Sequence, residues 1–176
     1  MHAVRGALTG GSQLRALAAA SLLALGIGAC GSSPPRVLTP DQARLGRIDR
    51  LLSQLTLVEG TINPDPVAGS RRRKHASYVR TEKPLIDQFD GMAQQLRQEV
   101  ASLHSVQPAM LYGPLVEVIG QEAHDLKRFL SSVVARDAAS VRADSTRLGQ
   151  DERRINQVAL EQFPKVRAYV VRRRDG

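Results

Sequence analysis

The amino-acid sequence predicts an all-α protein, an antiparallel bundle of three or four helices. Apolar residues recur at steps of three and four in four successive segments, which is the spacing of one face of a helix. No segment shows the strict alternation of apolar and polar residues that a half-buried strand requires. The 176 residues also include only three Phe, three Tyr and no Trp. Because strands favour aromatic and β-branched side chains, this composition fits packed helices better than a sandwich of sheets.

The first helix is predicted to start at Thr39, whose side chain can cap it, with Pro40 at the first helical position and Asp41 next. Proline removes a backbone donor and disfavours helical geometry in the preceding residue. The segment Asn63-Pro64-Asp65-Pro66 is therefore predicted to end the helix. Its apolar face comprises Leu45, Ile48, Leu51, Leu52, Leu55, Val58 and Ile62.

The second helix is predicted from about Glu82, with Thr81 as its cap and Pro84 tolerated in the first turn. The sequence is also compatible with an earlier, kinked turn that starts at Tyr78. Residues 63–76 are predicted to form a loop before this helix. Its apolar face comprises Leu85, Phe89, Met92, Leu96, Val100, Leu103 and Val106.

Pro108 and the pair Gly113-Pro114 are predicted to interrupt the next stretch, after which a third helix runs to about Ala135. Asp137 can cap a fourth segment, and Pro164 is expected to kink or end it. Since no Gly or Pro separates these two segments, a single long helix is also compatible with the sequence. The two apolar faces comprise Leu115, Val118, Ile119, Leu126, Phe129, Leu130 and Val133, and then Val141, Leu148, Ile155, Ala159, Phe163, Val166 and Val170.

The first thirty residues have the pattern of an export signal. Arg5 and Arg15 give a positive start without an acidic residue, and an apolar run over residues 16–29 leads to the single cysteine of the chain. This run is shorter than the ~20 residues of a membrane-spanning helix, and its length and flanks are those of a signal peptide. The sequence Ile27-Gly28-Ala29-Cys30 resembles the lipobox of bacterial lipoproteins, in which an aliphatic residue and two small residues precede the modified cysteine.

The resemblance implies cleavage between Ala29 and Cys30, with Cys30 as the new N-terminus and the site of lipidation. Two or three acyl chains hold a protein at a bilayer almost permanently. The protein is therefore expected on the extracytoplasmic side of the cell membrane or the outer membrane, and Gly31 is compatible with either. The acyl chain on Cys30 is the covalent group that we expect, and no other cofactor is predicted.

These observations divide the chain into four parts. Residues 1–29 are predicted to be a cleaved signal peptide, and residues 30–40 the lipidated cysteine with a flexible tether. The ten residues after Cys30 reach at most about 35 Å when fully extended. Residues 41–172 are predicted to form the helical bundle and residues 173–176 a basic C-terminal tail.

The chain has a net charge of +8, and the part after residue 29 retains 23 basic and 17 acidic residues, a net charge of +6. This balance favours anionic partners such as lipid headgroups or anionic polymers of the envelope. Two basic clusters are predicted to contact such a partner. In an up-down-up-down bundle the first lies at the end far from the tether and the second beside the membrane. No aromatic residue interleaves the first cluster for base stacking, and nucleic acid is not predicted as a partner. The clusters comprise Arg71, Arg72, Arg73, Lys74 and His75, and then Arg172, Arg173 and Arg174.

Glu59, Glu122 and Glu152 fall on or near the apolar faces of three different helices. Inward carboxylates of this kind hold di-iron or di-manganese centres in helical bundles, but those centres also need Glu-x-x-His, which this sequence lacks. His124 follows Glu122 by two residues and points elsewhere on a helix. We therefore predict no metal site and keep these glutamates as a weaker alternative, with pairing to arginine or exposure to solvent preferred.

The sequence contains no phosphate-binding loop, no H-E-x-x-H and no G-x-S-x-G. The function that we expect is that of a non-enzymatic lipoprotein whose helical bundle is a binding or scaffolding module in the cell envelope. Its partner would be another envelope protein or an anionic envelope polymer. The alternative is a carrier that holds a small ligand, a lipid or a metal in the bundle core. The sequence does not determine the oligomeric state.

Overall fold

The computed structural model describes residues 39–63 and 72–174, which form four helices and no strand. The helices are α1 (Pro40–Glu59), α2 (Arg72–Ala101), α3 (Val106–Ala135) and α4 (Ala138–Arg174). The prediction of an all-α bundle is confirmed, with four helices. The predicted signal peptide, the lipobox and Cys30 lie outside the described residues.

The four helices run up and down, and each packs against the next along the chain. Arg47 on α1 binds Glu99 near the end of α2, whereas the backbone N–H of Asn63 after α1 donates to Glu82 near the start of α2. Helix α3 is central, since it packs between α2 and α4 and also reaches α1. The core contains Ile48, Leu55, Phe89, Leu96, Tyr112, Leu115, Phe129, Val133, Ile155 and Ala159.

The predicted caps of the first and last helices are confirmed. The Thr39 hydroxyl accepts a hydrogen bond from the Gln42 backbone N–H, and the Gln42 side chain accepts one from the Thr39 N–H. This reciprocal pair satisfies two backbone donors that the start of α1 leaves free. In the same way Asp137 Oδ1 accepts from the backbone N–H groups of Ala139 (3.0 Å) and Ser140 (3.1 Å).

The predicted start of the second helix is wrong, because α2 begins at Arg72, inside the expected loop. Thr81 is not its cap: its hydroxyl donates to the carbonyl oxygen of Ser77 one turn earlier, at 3.1 Å. A threonine inside a helix commonly uses its hydroxyl this way. Residues 72–75 therefore belong to a helix, while Arg71 lies outside the described residues.

The break predicted at Gly113-Pro114 is also wrong, and α4 does not end at Pro164, since both helices continue through these prolines. A kink at Pro164 stays a prediction. A proline leaves the carbonyl four residues earlier without its helical donor. Those carbonyls belong to Met110 and Leu160, both exposed residues that water can reach. The apolar faces on both sides of each proline pack into the core, and tertiary packing of this kind holds a helix together where propensity does not.

The chain does break between α3 and α4, at Arg136. This residue has φ 59° and ψ 31°, the left-handed conformation, and it is the one non-glycine residue with positive φ among those described. The Arg136 N–H donates to the carbonyl of Val133, and the Asp137 N–H to that of Ser132, both at 3.1 Å. This is the Schellman motif, which ends a helix and turns the chain. Of the two readings that the sequence allowed here, two separate helices are observed.

The predicted core residues are buried or half-buried wherever the structure describes their side chains, apart from Val106. Val106 was assigned to the face of the second helix but starts α3 and is 71% exposed. Ile86 is a buried core residue that the predicted pattern left out. The side chain of Val170 lies outside the description.

Candidate functional site

The two predicted basic clusters lie at opposite ends of the bundle. Residues 72–75 form the first turn of α2, and residues 172–174 form the last turn of α4. We call the end that holds Thr39, the connection over residues 102–105 and the last turn of α4 the entry end. The relative placement that the up-down-up-down topology predicted is therefore observed. Whether either cluster contacts an anionic partner stays a prediction.

A larger basic surface lies along the side of the bundle, and the sequence analysis missed it. One groove of about 450 Å³ runs between α1 and α2, and another of about 720 Å³ runs between α2 and α3. Gln98 lines both, so the grooves flank a single ridge of α2. We call this surface the basic face and define it by Arg44, Arg47, Arg50, Arg97, Lys127 and Arg128.

The basic face contains two acidic side chains, and both are already paired. Glu99 accepts two hydrogen bonds from Arg47, at 2.8 and 3.1 Å, and lies 3.5 Å from Arg44. These arginines lower the pKa of Glu99, and its hydrogen bonds raise the pKa of Arg47. Asp90 accepts from Lys127 at 2.9 Å, which raises the pKa of the lysine.

Arg50 and Arg97 have no carboxylate partner among the described residues. The Arg97 guanidinium lies over Gly120, where a Cβ atom would stand 2.6 Å from its Nη2 atom. Gly120 therefore leaves the space in which this guanidinium rests at the floor of the larger groove. His124, an exposed residue on the same helix as Gly120, lines that groove as well. Because a guanidinium carries five donors in a planar fork, both arginines can bind phosphate or carboxylate groups.

The three glutamates of the metal alternative are near enough for their charges to interact. Glu122 on α3 is only 6% exposed, and the charges of Glu59 on α1 and Glu152 on α4 act on it. Burial raises its pKa well above the usual value, and the nearby charges of Glu59, Asp151 and Glu152 raise it further. The expectation that such a carboxylate pairs with arginine or reaches solvent is wrong for Glu122. Its burial favours the protonated form.

Two further carboxyl groups, those of Asp125 and Asp151, form a pair near Glu122. Burial raises the pKa of Asp151 to about 6, and the neighbouring carboxylate of Asp125 contributes to this. Oδ2 of Asp151 is buried without a hydrogen-bond donor among the described residues, so a proton shared by the pair would supply the missing bond. Gln121 donates to Asp125 Oδ2 at 3.0 Å. Within residues 39–63 and 72–174 no group of three or more His, Cys, Asp or Glu side chains is placed to hold a metal ion.

Asp41 joins the start of α1 to the connection between α2 and α3. Its carboxylate accepts hydrogen bonds from the backbone N–H groups of His104 (3.1 Å) and Ser105 (2.9 Å) and from the Ser105 hydroxyl (2.5 Å). These bonds lower its pKa well below the usual range. Asp41 therefore fixes the entry end of the bundle.

None of the described helices is long and apolar enough to cross a membrane. No protein-family model, curated protein or solved structure matches this chain. The fold and the charge distribution thus define an all-α bundle with one basic face and one buried acidic cluster.

Proposed function

We propose that this chain is a membrane-anchored extracytoplasmic lipoprotein whose helical bundle is a non-enzymatic binding or scaffolding module. The observation that carries the proposal is the basic face, with six basic and two acidic side chains along two neighbouring grooves. Both acids are neutralised within the molecule, whereas Arg50 and Arg97 are not paired with a carboxylate among the described residues. A concave surface of this charge favours an anionic partner.

The dimensions of the basic face favour an extended partner. On α2 it stretches from Asp90 to Glu99, and at 1.5 Å per residue this is about 14 Å. A single phosphate or carboxylate would engage only one of the two grooves. An anionic envelope polymer, or the acidic surface of an envelope protein, would engage Arg50 and Arg97 together.

The lipid anchor is tested at Cys30. We expect the protein in its host to incorporate labelled fatty acid and the Cys30→Ala variant to incorporate none. Mass spectrometry of the mature N-terminus should show an acylated Cys30. A secreted chain with a free cysteine would refute the anchor, as would a signal that is never cleaved.

The basic face is tested by charge reversal. The double variant Arg50→Glu, Arg97→Glu should bind a synthetic poly(glycerol phosphate) chain at least about tenfold more weakly than the unmodified protein, since about 1.4 kcal/mol gives a factor of ten. The matched control is Arg80→Glu, Arg142→Glu, which changes the net charge equally at exposed positions outside the two grooves. Equal losses in both variants would mean that net charge alone governs binding and would overturn the assignment of this face.

A carrier function is the alternative, and the burial of Glu122 beside other carboxyl groups supports it. A protonated acid in a bundle core can hydrogen-bond a polar group of a small ligand or lipid. Native mass spectrometry of protein purified from its own host tests this. Added mass that disappears in the Glu122→Gln variant would support a carrier, whereas the mass of the bare chain would exclude one under those conditions.

A further inference from the structure

Two large apolar side chains are exposed together at the entry end of the bundle. Val106 is 71% exposed and Met110 is 72% exposed, at the first position of α3 and one turn later. Residues four apart lie on the same face of a helix, so the two side chains form one apolar patch. Helical side chains also tilt toward the N-terminus of their helix, which here directs the patch toward the entry end.

The patch lies where the chain enters the bundle. Ser105, the residue before Val106, binds Asp41 in the first turn of α1. Cys30 precedes Pro40 by ten residues, a distance of at most about 35 Å when extended. A lipid on Cys30 would therefore hold this end of the bundle close to the bilayer.

The surroundings of the patch are apolar and basic. A shallow groove of about 440 Å³ between α3 and α4 lies beside it, lined by Leu111, Pro164, Lys165 and others. Lys165 and Arg167 are exposed on the part of α4 that approaches this end. Apolar side chains flanked by basic ones are the composition of surfaces that bind anionic bilayers.

We propose that the entry end of the bundle rests directly on an anionic lipid bilayer, with Val106 and Met110 inserted at the level of the headgroups. Lys165 and Arg167 then contact lipid phosphates. The inference rests on the proposed function, because the lipid on Cys30 supplies the high local concentration at which a small patch binds. Docking of the entry end orients the molecule. The bundle then stands upright on the bilayer, and the basic face lies along its side, open to a partner.

The absence of tryptophan from the chain makes the test direct, since a single introduced tryptophan reports one position. We would prepare the full acylated protein as Met110→Trp and, as a matched control, as Val134→Trp. Val134 is 60% exposed on the same helix but lies at the opposite end. On phosphatidylglycerol vesicles that contain brominated phospholipid, we expect the fluorescence of Met110→Trp to fall by about half or more. The control should not change.

The outcomes separate this inference from the proposed function. Acylated protein that sediments with vesicles while Met110→Trp is not quenched would keep the anchor and overturn direct docking. Acrylamide, a soluble quencher, tests for a different occupant. If the fluorescence of Met110→Trp were shielded from acrylamide but not quenched by brominated lipid, a second copy would cover the patch, and direct docking on the bilayer would be overturned. Quenching on phosphatidylcholine equal to that on phosphatidylglycerol would remove the role of Lys165 and Arg167. A chain that is neither acylated nor sedimented contradicts both proposals.

Discussion

The carboxylate of Asp41 caps the start of α3 from a different helix, because its Oδ2 atom accepts hydrogen bonds from both the backbone N–H and the hydroxyl of Ser105. The residue before α3 is Ser105 itself, but its side chain makes no capping bond within its own helix. A negative charge at a helix N-terminus is also favourable toward the helix dipole. Asp41 thus supplies the capping acceptor that the local sequence of α3 lacks, although the two residues lie 64 positions apart in the chain.

Replacing this carboxylate should weaken the bundle in a pH-dependent way. We expect Asp41→Asn to lower the melting temperature at pH 7, because the amide loses the charge-assisted bonds. A lowered pKa means that the stabilisation is present above the unfolded value of about 3.9 and is lost as the pH falls below it. The difference between variant and unmodified protein should therefore shrink below about pH 4. Asp87→Asn, at an exposed residue of α2, is the control and should change little.

A substitution at the turn at Arg136 should stabilise the protein, in contrast to Asp41→Asn. Arg136 occupies the left-handed region that glycine adopts without strain, and its backbone makes the bonds of the Schellman motif. Arg136→Gly should therefore raise the free energy of unfolding by about 0.5–1 kcal/mol. Chemical denaturation measures this. A loss of stability would show that the arginine side chain contributes more than its backbone strain costs.

The sequence was informative about the fold wherever one local signal acted alone. Thr39 and Asp137 were found because capping is local, and the apolar faces were found because their period is that of a helix. Pro164 does not end α4, because a proline ends a helix only where packing on either side does not hold the helix together. The break at Arg136 could not be located from the sequence, because arginine has no preference for the positive φ that this turn requires.

The candidate site was less predictable, because it is assembled from helices that are far apart in sequence. A run of consecutive arginines can be recognised in the sequence. Arg47, Arg50 and Arg97, in contrast, form a surface only after α1 and α2 pack side by side. Arg44, Arg47 and Arg50 recur at every third residue of α1, which was the available signal, but this is also the spacing of any solvated helix face. The placement of Glu122 on an apolar face did single it out, although periodicity could not show which carboxylates surround it.

Phe129 should be among the most costly core residues to truncate. It is completely buried in α3, which packs against α2 and α4 and donates a hydrogen bond from Tyr112 to Asp49 of α1. Phe129→Ala removes these contacts and leaves a cavity, and we expect a loss of about 3–5 kcal/mol in the free energy of unfolding. Val134→Ala on the exposed side of the same helix should stay within about 0.5 kcal/mol. Similar losses for both variants would contradict the packing described.

The raised pKa of Asp151 should be visible in a titration. We expect the carboxyl carbon of Asp151 to titrate near pH 6 by NMR, where an ordinary aspartate would already be ionised. In the Asp125→Asn variant this pKa should fall, because the neighbouring negative charge is gone. An Asp151 that titrates near 4 in both proteins would show that the two carboxyl groups do not share a proton.

Glu122 should make the bundle less stable as the pH rises. Its raised pKa means that the folded state binds the proton more tightly than the unfolded state, in which the pKa is about 4.3. The contribution of Glu122 to stability is therefore most favourable in acid and is lost as the pH rises from that value through the folded pKa. Glu122→Gln mimics the protonated acid and should remove this slope. Its advantage over the unmodified protein should grow with pH, by about 1.4 kcal/mol for each unit of pKa elevation removed.

The control for this variant is Glu117→Gln on the same helix, where the carboxylate is 75% exposed and lies 3.6 Å from Arg154. It should change the stability little at any pH, since exposed ion pairs contribute little. Urea unfolding at pH 5, 6.5 and 8 distinguishes the two. If Glu122→Gln instead lost stability at pH 8, the carboxylate would be ionised and held by a partner in the native state. A bound cation would then be the first partner to seek, because Glu59, Asp151 and Glu152 add only negative charge around it.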